Sequence, residues 1–445
     1  MKNPLFQKCA LLALIGALLL IPLSMIESTI AERTAHRAEA IRAIAASSAG
    51  EQSVAGPVLS LPVVEEYDDE QIEEINGERR KKIIRRKRTH TLTVLPRQQH
   101  FDGRLNVEKR AYGLHSTAVF EMEGTITGVF ETPGPTALPA LGQNATLIWG
   151  TPFVSVGVSD VGGINGEPKI ELAGKALNAR RGAHAAGLKN GFHATSEGVR
   201  GDKVETLPFR IDMRLAGTGS FDFVPLGETA TAELQGNWAH PSFGGNYLPR
   251  SREITAAGFS AQWSTTALAS NADSAELGKT TGFQVRLIDP VDIYRQATRA
   301  VKYGALFLIL SFAAFFMFEN LRTQPIHPIQ YLLIGLAQAL FFLLLTSLSE
   351  HIRFSWAYLA ASGASILLIG IYLAAIMQGW QRGLGFSLGL AILYAALYGI
   401  LRSEQNALLL GSLLLFLALA ALMLGTRRID WYRLGRPSGA ISENA

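Results

Sequence analysis

The chain has 445 residues, enough for two or three domains, and its formal net charge of +4 is small for that length. The run of Lys and Arg between Arg79 and Arg88 is therefore a local feature that says little about the whole molecule. The single cysteine, Cys9, excludes an internal disulfide framework and a cysteine-based metal cluster. Apolar residues concentrate near the start and in residues 301–424, which indicates a membrane protein with one large water-exposed domain.

The first predicted element is a membrane-spanning helix over residues 9–26, preceded by a basic N-terminal segment at residues 1–8. About 20 apolar residues are needed to cross a bilayer as a helix. The apolar run exceeds the roughly 7–15 residues of a signal-peptide core, so an uncleaved anchor is favoured over a cleavable signal peptide. Ile30, Ala38, Ile41 and Ala45 then recur at helical spacing, which predicts a helical stalk over residues 27–50.

A charged hairpin is predicted next. Acidic residues from Glu65 to Glu74 precede Asn76-Gly77, and the basic run follows. Asn-Gly is the strongest short hairpin signal, because both central residues of a type I′ turn need positive φ. The pattern predicts a solvated hairpin in which an acidic strand neutralises a basic one. Contact of the basic run with an anionic lipid or polymer is the alternative.

Residues 51–300 are predicted to form a mainly-β domain. Short alternating runs separated by Gly, Pro and Asn are typical of an antiparallel sandwich or a related β fold. Residues 168–199, which are rich in Gly and Ala, are predicted to be a long surface excursion. Residues 157–166, GVSDVGGING, loosely resemble a dinucleotide-binding loop, but no helix or βαβ unit follows, so a tight β turn is favoured.

Residues 238–250, which we call the 238–250 loop, are the candidate interaction site. The candidate residues are Trp238, His240, Phe243, Tyr247 and Arg250. Such a cluster could bind a sugar ring or a peptide; alternatively, Trp238 and Phe243 pin the loop onto the sheet as core residues. No acid pair, Ser–His–Asp set or metal-spaced His pair surrounds the loop. We therefore predict a protein without a catalytic site, metal or cofactor.

Five further spans are predicted to pack as one bundle within residues 301–424. They cover residues 301–318, 329–348, 354–377, 384–401 and 407–424. Small residues are expected at the helix contacts, namely Gly363, Gly370, Gly385 and Gly389. The predicted fold is thus an integral membrane protein with six transmembrane helices, one N-terminal and five C-terminal, plus a large mainly-β extracytoplasmic domain.

Charged residues are absent from the centres of the predicted spans, which disfavours an ion-coupled transporter. Gln338 is the one strongly polar side chain well inside a span, and we expect it to make an interhelical hydrogen bond. Four titratable residues are predicted to be solvated at helix ends: Glu319, His327, Glu350 and His351.

Lys and Arg in the short loops predict the orientation. A cytoplasmic N-terminus places most of them inside, together with a cytoplasmic tail at residues 425–445. This orientation places Arg295, Arg299 and Lys302 on the outer side, against the rule. They carry little weight, because a large domain can translocate largely regardless of its charge. The β domain is then periplasmic in a Gram-negative cell, so nucleic acid is not expected as a partner.

The chain resembles the CreD family of inner-membrane proteins, also called cell envelope integrity proteins. The resemblance runs nearly end to end through long ordered stretches such as NPLFQKC, NWAHPSFGGNYLPRSREITAAGFSAQW, VDIYRQATRAVKYGALFLILSFAAFFMFE and IHPIQYLLIGLAQALFFLLLTSLSEHIRF. It implies a role in envelope stress, control by the Cre two-component system and altered tolerance to colicins. The resemblance implies no catalytic or ligand-binding residues that could be assigned to positions of this chain.

Three functional hypotheses remain open. The first is a non-enzymatic inner-membrane protein contributing to envelope integrity or stress response, whose β domain contacts an envelope component or a periplasmic protein. The second is a transporter or flippase-like module that handles a lipid-like or envelope substrate. The third is a periplasmic enzyme with the 238–250 loop as its pocket. A groove of small and polar residues between the spans would favour the second hypothesis, and a tightly packed bundle would favour the first.

Overall fold

The computed structural model describes residues 4–75, 78–113, 115–134, 141–199, 201–266, 268, 282–289, 293–322, 326–376, 379–403 and 406–427. Contacts along the chain divide it into two compact units. The helical unit comprises Met1–Ala38 with Val291–Ala445, and the β unit comprises Glu39–Pro290.

Seven α-helices are described. They are α1 (Pro4–Ser47), α2 (Ile293–Lys302), α3 (Gly304–Arg322), α4 (Pro328–Ser349), α5 (Phe354–Ile376), α6 (Trp380–Arg402) and α7 (Ala407–Thr426). Helix α1 contains both the predicted first span and the predicted stalk, without a break, over ~66 Å at ~1.5 Å per residue. Helices α4 and α5 match the predicted spans to within one residue, because long apolar runs between polar connectors mark helix ends. Helix α6 begins at Trp380, four residues before the predicted start, because the polar sequence there is also helical.

Helix α1 packs on the rest of the helical unit along one stripe. The buried stripe consists of Ile15, Leu19, Leu23, Ile26 and Ile30. The spacing of three and four residues keeps these side chains on one face. They join the apolar core of the helical unit, which also includes residues of α2 to α6.

The described part of the chain contains four helices long and apolar enough to cross a membrane, in α1, α4, α5 and α6. A fifth is reached if α2 and α3, which meet at a bend of 42°, form one broken span. Helix α2 thus begins at Ile293, before the predicted start of the bundle at Val301. The apolar stretch described in α7, Leu408–Ala421, is shorter. The count of six spans stays a prediction.

Only one of the four predicted contact glycines lies at a helix contact. A Cβ on Gly370 would lie 2.2 Å from Oγ of Ser387, so this glycine permits the close approach of α5 and α6. The prediction is wrong for Gly363, Gly385 and Gly389, where a Cβ would meet nothing within 4 Å. Glycine content alone does not reveal which face of a helix turns inward.

The β unit contains two sheets. The strands of sheet A are β1 (Gln52–Ile75), β2 (Glu78–Val94), β5 (Gln143–Trp149), β6 (Phe153–Val158), β9 (Arg180–Arg181), β10 (Gly191–Thr195), β12 (Ser220–Val224), β14 (Pro241–Gly245) and β17 (Phe283–Leu287). Those of sheet B are β3 (Gln98–Tyr112), β4 (His115–Glu131), β7 (Lys169–Leu172), β8 (Lys175–Leu177), β11 (Thr206–Thr218), β13 (Thr229–Gly236), β15 (Ser251–Ile254) and β16 (Phe259–Thr266).

The strand order is β14-β17-β12-β1-β6-β10-β9 in sheet A, with β2 and β5 also paired to β1. It is β15-β16-β13-β3-β4-β11-β7-β8 in sheet B. The mainly-β prediction is confirmed, but the sheets are mixed, because β1 pairs with β12 and β13 with β3 in parallel. Turn signals predict hairpins between neighbouring strands and carry no information about such crossovers.

The inner faces of the two sheets share one apolar core. Phe101 of sheet B is 1% exposed and stacks on Phe221 and Phe223 of sheet A, with ring centroids 5.7 and 4.5 Å away. Gly103 and Gly124 pair across β3 and β4 and leave room for this ring, since a Cβ on Gly103 would lie 2.7 Å from it. The unit is therefore a sandwich held by interlocking aromatic side chains.

The acidic–basic hairpin is confirmed. Strand β1 pairs with β2 in antiparallel register, and the turn residues 76–77 lie outside the described residues. Ion pairs cross the ladder from Lys87 to Glu66 at 2.6 Å and from Arg85 to Asp68 at 3.1 Å. Their side chains are partly or largely exposed, so the basic run is neutralised mainly by its own partner strand.

The base of this hairpin is fixed by a buried carboxylate. Glu65 has 0% exposure, accepts a hydrogen bond from the backbone of Gly142 at 2.6 Å and lies 2.9 Å from Nε2 of His90. The hydrogen bond from Gly142, and then that from His90, hold the pKa of Glu65 below its ordinary value.

The prediction of a surface excursion over residues 168–199 is wrong for much of that segment. Strand β7 joins sheet B and β10 joins sheet A, and Phe192 and Ala194 of β10 are buried in the core. Small residues obscure the strand pattern, since buried Ala and Gly resemble loop composition. Residues 157–166 form the end of β6 and one 3-10 turn capped by Asp160, without a following α-helix, as predicted.

Candidate functional site

The prediction of a loop is wrong for the middle of the 238–250 loop, because residues 241–245 form strand β14 of sheet A and pair with β17. Phe243 packs against Phe259 and Trp263, with ring centroids 5.8 Å away in both cases. Nε1 of Trp238 donates a hydrogen bond to the carbonyl of Ile288 at 3.0 Å. These contacts match the structural alternative for the aromatic residues.

The polar members of the loop are more open. His240 and Arg250 are exposed. Nε of Arg250 donates to the carbonyl of Ser264 at 3.3 Å, whereas Tyr247 packs on Phe283 with ring centroids 5.6 Å apart. The loop as an interaction site stays a prediction, with His240 and Arg250 as the groups still available to a partner.

Sheet B has a second candidate that the sequence analysis missed. On its outer face, polar side chains form a row across five strands. The row consists of Ser260, Gln235, Arg104, Glu123 and Arg214, paired in register from β16 to β11. Two clefts of about 650 and 620 Å³ share Arg104 and Glu123 of this row. We call the joined clefts the sheet B trough.

Loops border the trough near its two ends. Residues 255–258 line one cleft, in a turn closed by hydrogen bonds between Thr255 and Gly258. Residues 165–167 line the other. Asn165 holds that loop down, because its backbone N–H donates to the carbonyl of Arg214 at 2.9 Å and its side chain donates to Glu121 at 2.7 Å.

Several charges of the trough are already paired. Nε of Arg214 lies 3.1 Å from Oε1 of Glu123, and Arg210 lies 2.8 Å from Asp212. Burial alone would raise the pKa of Asp212, but hydrogen bonds from Arg210 and Thr125 outweigh it and leave the pKa below its ordinary value. Alternation along each strand is readable in the sequence, whereas the alignment of five strands into one row depends on their pairing.

A buried carboxylate lies at the junction of three strands in sheet A. Asp222 of β12 is 6% exposed and accepts hydrogen bonds from the backbone of Gly282 at 2.9 Å and from Oγ of Ser53 at 3.4 Å. Burial raises the pKa of Asp222 to about 6. The described residues contain no group of three or more His, Cys, Asp or Glu placed to hold a metal ion.

The helical unit buries a carboxylate that the sequence analysis placed in solvent. Glu319 of α3 is 7% exposed and forms an ion pair with Lys8 of α1. It also accepts hydrogen bonds from the backbone of Ile326 at 3.0 Å and from the Tyr331 hydroxyl at 2.9 Å. The prediction that Glu319 is solvated is wrong, because α1 and α4 cover the end of α3.

A second carboxylate fixes α1 further along its length. Glu350 accepts a hydrogen bond from the Tyr294 hydroxyl at 3.0 Å and lies 3.8 Å from Nε of Arg33. Its side chain is 10% exposed, so it too is less solvated than predicted. His327 caps the start of α4 and His351 is exposed, as expected of residues at helix ends.

Aromatic rings fill the interior of the helical bundle. Phe341 and Phe307 each lie 4.6 Å from Tyr394 by ring centroid, and Phe315 stacks on Phe386 at 3.9 Å. Nε2 of Gln338 donates to Oγ of Ser311 at 2.7 Å, which confirms the predicted interhelical hydrogen bond. This packing favours an anchor or scaffold over an open path between the helices.

The chain resembles a known protein over its whole length. It is 37% identical to Inner membrane protein CreD of Escherichia coli (strain K12), over 100% of this chain and 97% of that protein. Two solved structures of an M1 zinc metallopeptidase from Deinococcus radiodurans match with TM-scores of 0.22 and 0.20, 11% and 9% identity, covering 42% and 48% of this chain and 41% and 54% of theirs. Scores this low bear on neither fold nor activity.

The family comparison covers nearly the whole chain. The family described as Inner membrane protein CreD matches residues 4–432, which include the helical unit and the β unit. The resemblance noted from the sequence is confirmed. The chain belongs to the CreD family of inner membrane proteins.

Proposed function

We propose that the chain is a non-enzymatic inner-membrane protein that contributes to envelope integrity or to the response to envelope stress. Its β unit lies in the periplasm as the interaction module, and its helical unit is the anchor. The observation that carries this proposal is the concave polar face of sheet B, since such faces on a rigid scaffold are suited to binding. The ring-filled bundle supports it over a transporter or flippase-like module.

The periplasmic orientation is supported by Lys and Arg in the short loops and tail, which favour the cytoplasm. A dual reporter inserted after Asn144 in β5 tests it, pairing a phosphatase active only in the periplasm with a protein fluorescent only in the cytoplasm. We expect phosphatase activity. The same reporter after the described end of α7, at Arg427, should fluoresce. The reverse pattern would place the β unit in the cytoplasm and remove the envelope module.

The interaction itself is tested by crosslinking in cells. A photoreactive amino acid replaces Gln235 in the sheet B trough, His240 in the 238–250 loop, or Lys175 in β8 as an exposed control. We expect Gln235 or His240 to capture a discrete envelope component that Lys175 does not. Equal capture at all three positions, together with unchanged detergent sensitivity in cells lacking the protein, would contradict the proposed function.

A further inference from the structure

The floor of the sheet B trough presents hydrogen-bonding groups at regular intervals. Its five side chains lie on consecutive strands, so at ~4.8 Å per strand the row spans ~19 Å. Serine, glutamine, arginine and glutamate together offer donors and acceptors along that length. The spacing matches an extended polymer lying across the strands rather than a compact small molecule.

Arg104 is the free donor at the centre of this floor. Within the described ranges it has no ion-pair or hydrogen-bonding partner, although it lines both clefts. Its neighbours Glu123 and Gln235 are engaged with Arg214 and Glu233, at 3.1 and 3.0 Å. A ligand group that accepts hydrogen bonds is therefore seated most favourably at Arg104, whose fork of donors matches a hydroxyl pair or a carboxylate.

The lining argues against a lipid. Leu105, Met213 and Phe259 line the clefts but are only 1, 4 and 5% exposed, so these side chains offer an acyl chain almost no apolar surface. An extended peptide also cannot join the sheet as an added strand at this row. At the row itself, Gln235, Arg104 and Glu123 are each paired with residues on both neighbouring strands, so their backbones offer no free edge to an added strand.

The charge balance restricts the ligand further. The lining acids outnumber the lining bases: Asp102, Glu121, Glu123, Glu167, Asp212 and Glu253 against Arg104, Lys169 and Arg214. Even with Asp212 paired to Arg210 and Glu123 to Arg214, the lining keeps a net negative charge that disfavours a polyanion. Carboxylates accept hydrogen bonds from neutral hydroxyl and amide groups, and those groups recur along a glycan.

We propose that the sheet B trough binds a polyhydroxylated, amide-bearing glycan strand of the cell wall, with Arg104 as the central contact. This proposal specifies which class of ligand the envelope-binding module takes, and it therefore rests on the proposed function. The strand lies across β16 to β11 between residues 255–258 and residues 165–167. The row contacts the strand through side chains, because the backbones beneath it are already paired within the sheet.

The test uses the purified full chain in detergent and isolated peptidoglycan sacculi, with sedimentation as the readout. Wild-type protein is expected to sediment with sacculi and to be released by muramidase-solubilised glycan fragments. Arg104→Ala should weaken binding about tenfold, the effect of losing a charge-assisted hydrogen bond. The matched control is Arg110→Ala, an exposed arginine further along β3 and outside both clefts.

A second variant tests the trough without removing the Arg104 contact. Ser260→Arg places a bulky side chain at one end of the floor and should also weaken binding, while circular dichroism reports intact β structure. Failure of wild-type protein to sediment, or equal binding by Arg104→Ala, overturns the glycan assignment. If Gln235 or His240 still captures a discrete envelope component in cells, the envelope-binding function survives that result. Absence of capture at both positions removes the glycan assignment and the proposed function together.

Discussion

Replacing Glu319 by alanine is expected to destabilise the helical unit by about 3 kcal/mol, because it removes a buried carboxylate that pairs with the partly exposed Lys8 and takes the acceptor from the donors of Ile326 and Tyr331. The carboxylate accepts hydrogen bonds from Ile326 and Tyr331 as well as from Lys8. Without it, hydrogen-bond donors on α1, on α4 and in the connection between α3 and α4 lose their acceptor. Thermal unfolding of the purified chain in detergent, followed by helical circular dichroism, measures the effect.

Two further variants separate the ion pair from general perturbation. Lys8→Met combined with Glu319→Met should recover part of the stability, since an apolar pair leaves no uncompensated charge. Arg33→Ala is the matched control, because its 3.8 Å contact with Glu350 is 52% exposed on the arginine side, and it should cost under about 1 kcal/mol. Equal losses for Arg33→Ala and Glu319→Ala would show that burial of Glu319 does not determine the stability.

The β unit is expected to lose about 2 kcal/mol of stability as pH rises from 4.5 to 7.5, through Asp222 alone. Its folded pKa, about 6, lies above the ordinary value of 3.8. The folded state therefore binds the proton more tightly than the unfolded state. The stabilisation is complete below the unfolded pKa and is lost as pH rises through about 6.

Asp222→Asn isolates this contribution. Asparagine can still accept the hydrogen bond from Gly282 and can donate to Ser53, but it carries no charge at any pH. The stability advantage of the variant over wild type should be about 2 kcal/mol larger at pH 7.5 than at pH 4.5, measured by urea unfolding followed through tryptophan emission. The carboxyl of Glu65, whose pKa is lowered, titrates below this window. Parallel pH profiles for the two proteins would refute the assignment.

Some features follow from the sequence because their physical causes are local. Apolar runs between polar connectors determine α4 and α5 to within one residue, and the end but not the start of α6. Asn76-Gly77, with acidic residues before it and basic residues after it, determines the β1–β2 pairing, since turn chemistry and cross-strand charge agree on one register. Long motifs were enough to indicate the CreD family.

Other features depend on which distant segments meet, and no local pattern encodes that. Glu319 is buried because α1 and α4 cover it, although its position at a helix end indicates solvent. Strand β10 is buried among small residues that resemble loop composition. The sheet B trough exists because strands separated by up to 156 positions between Arg104 and Ser260 align in one register, and pairing alone converts scattered polar residues into a continuous floor.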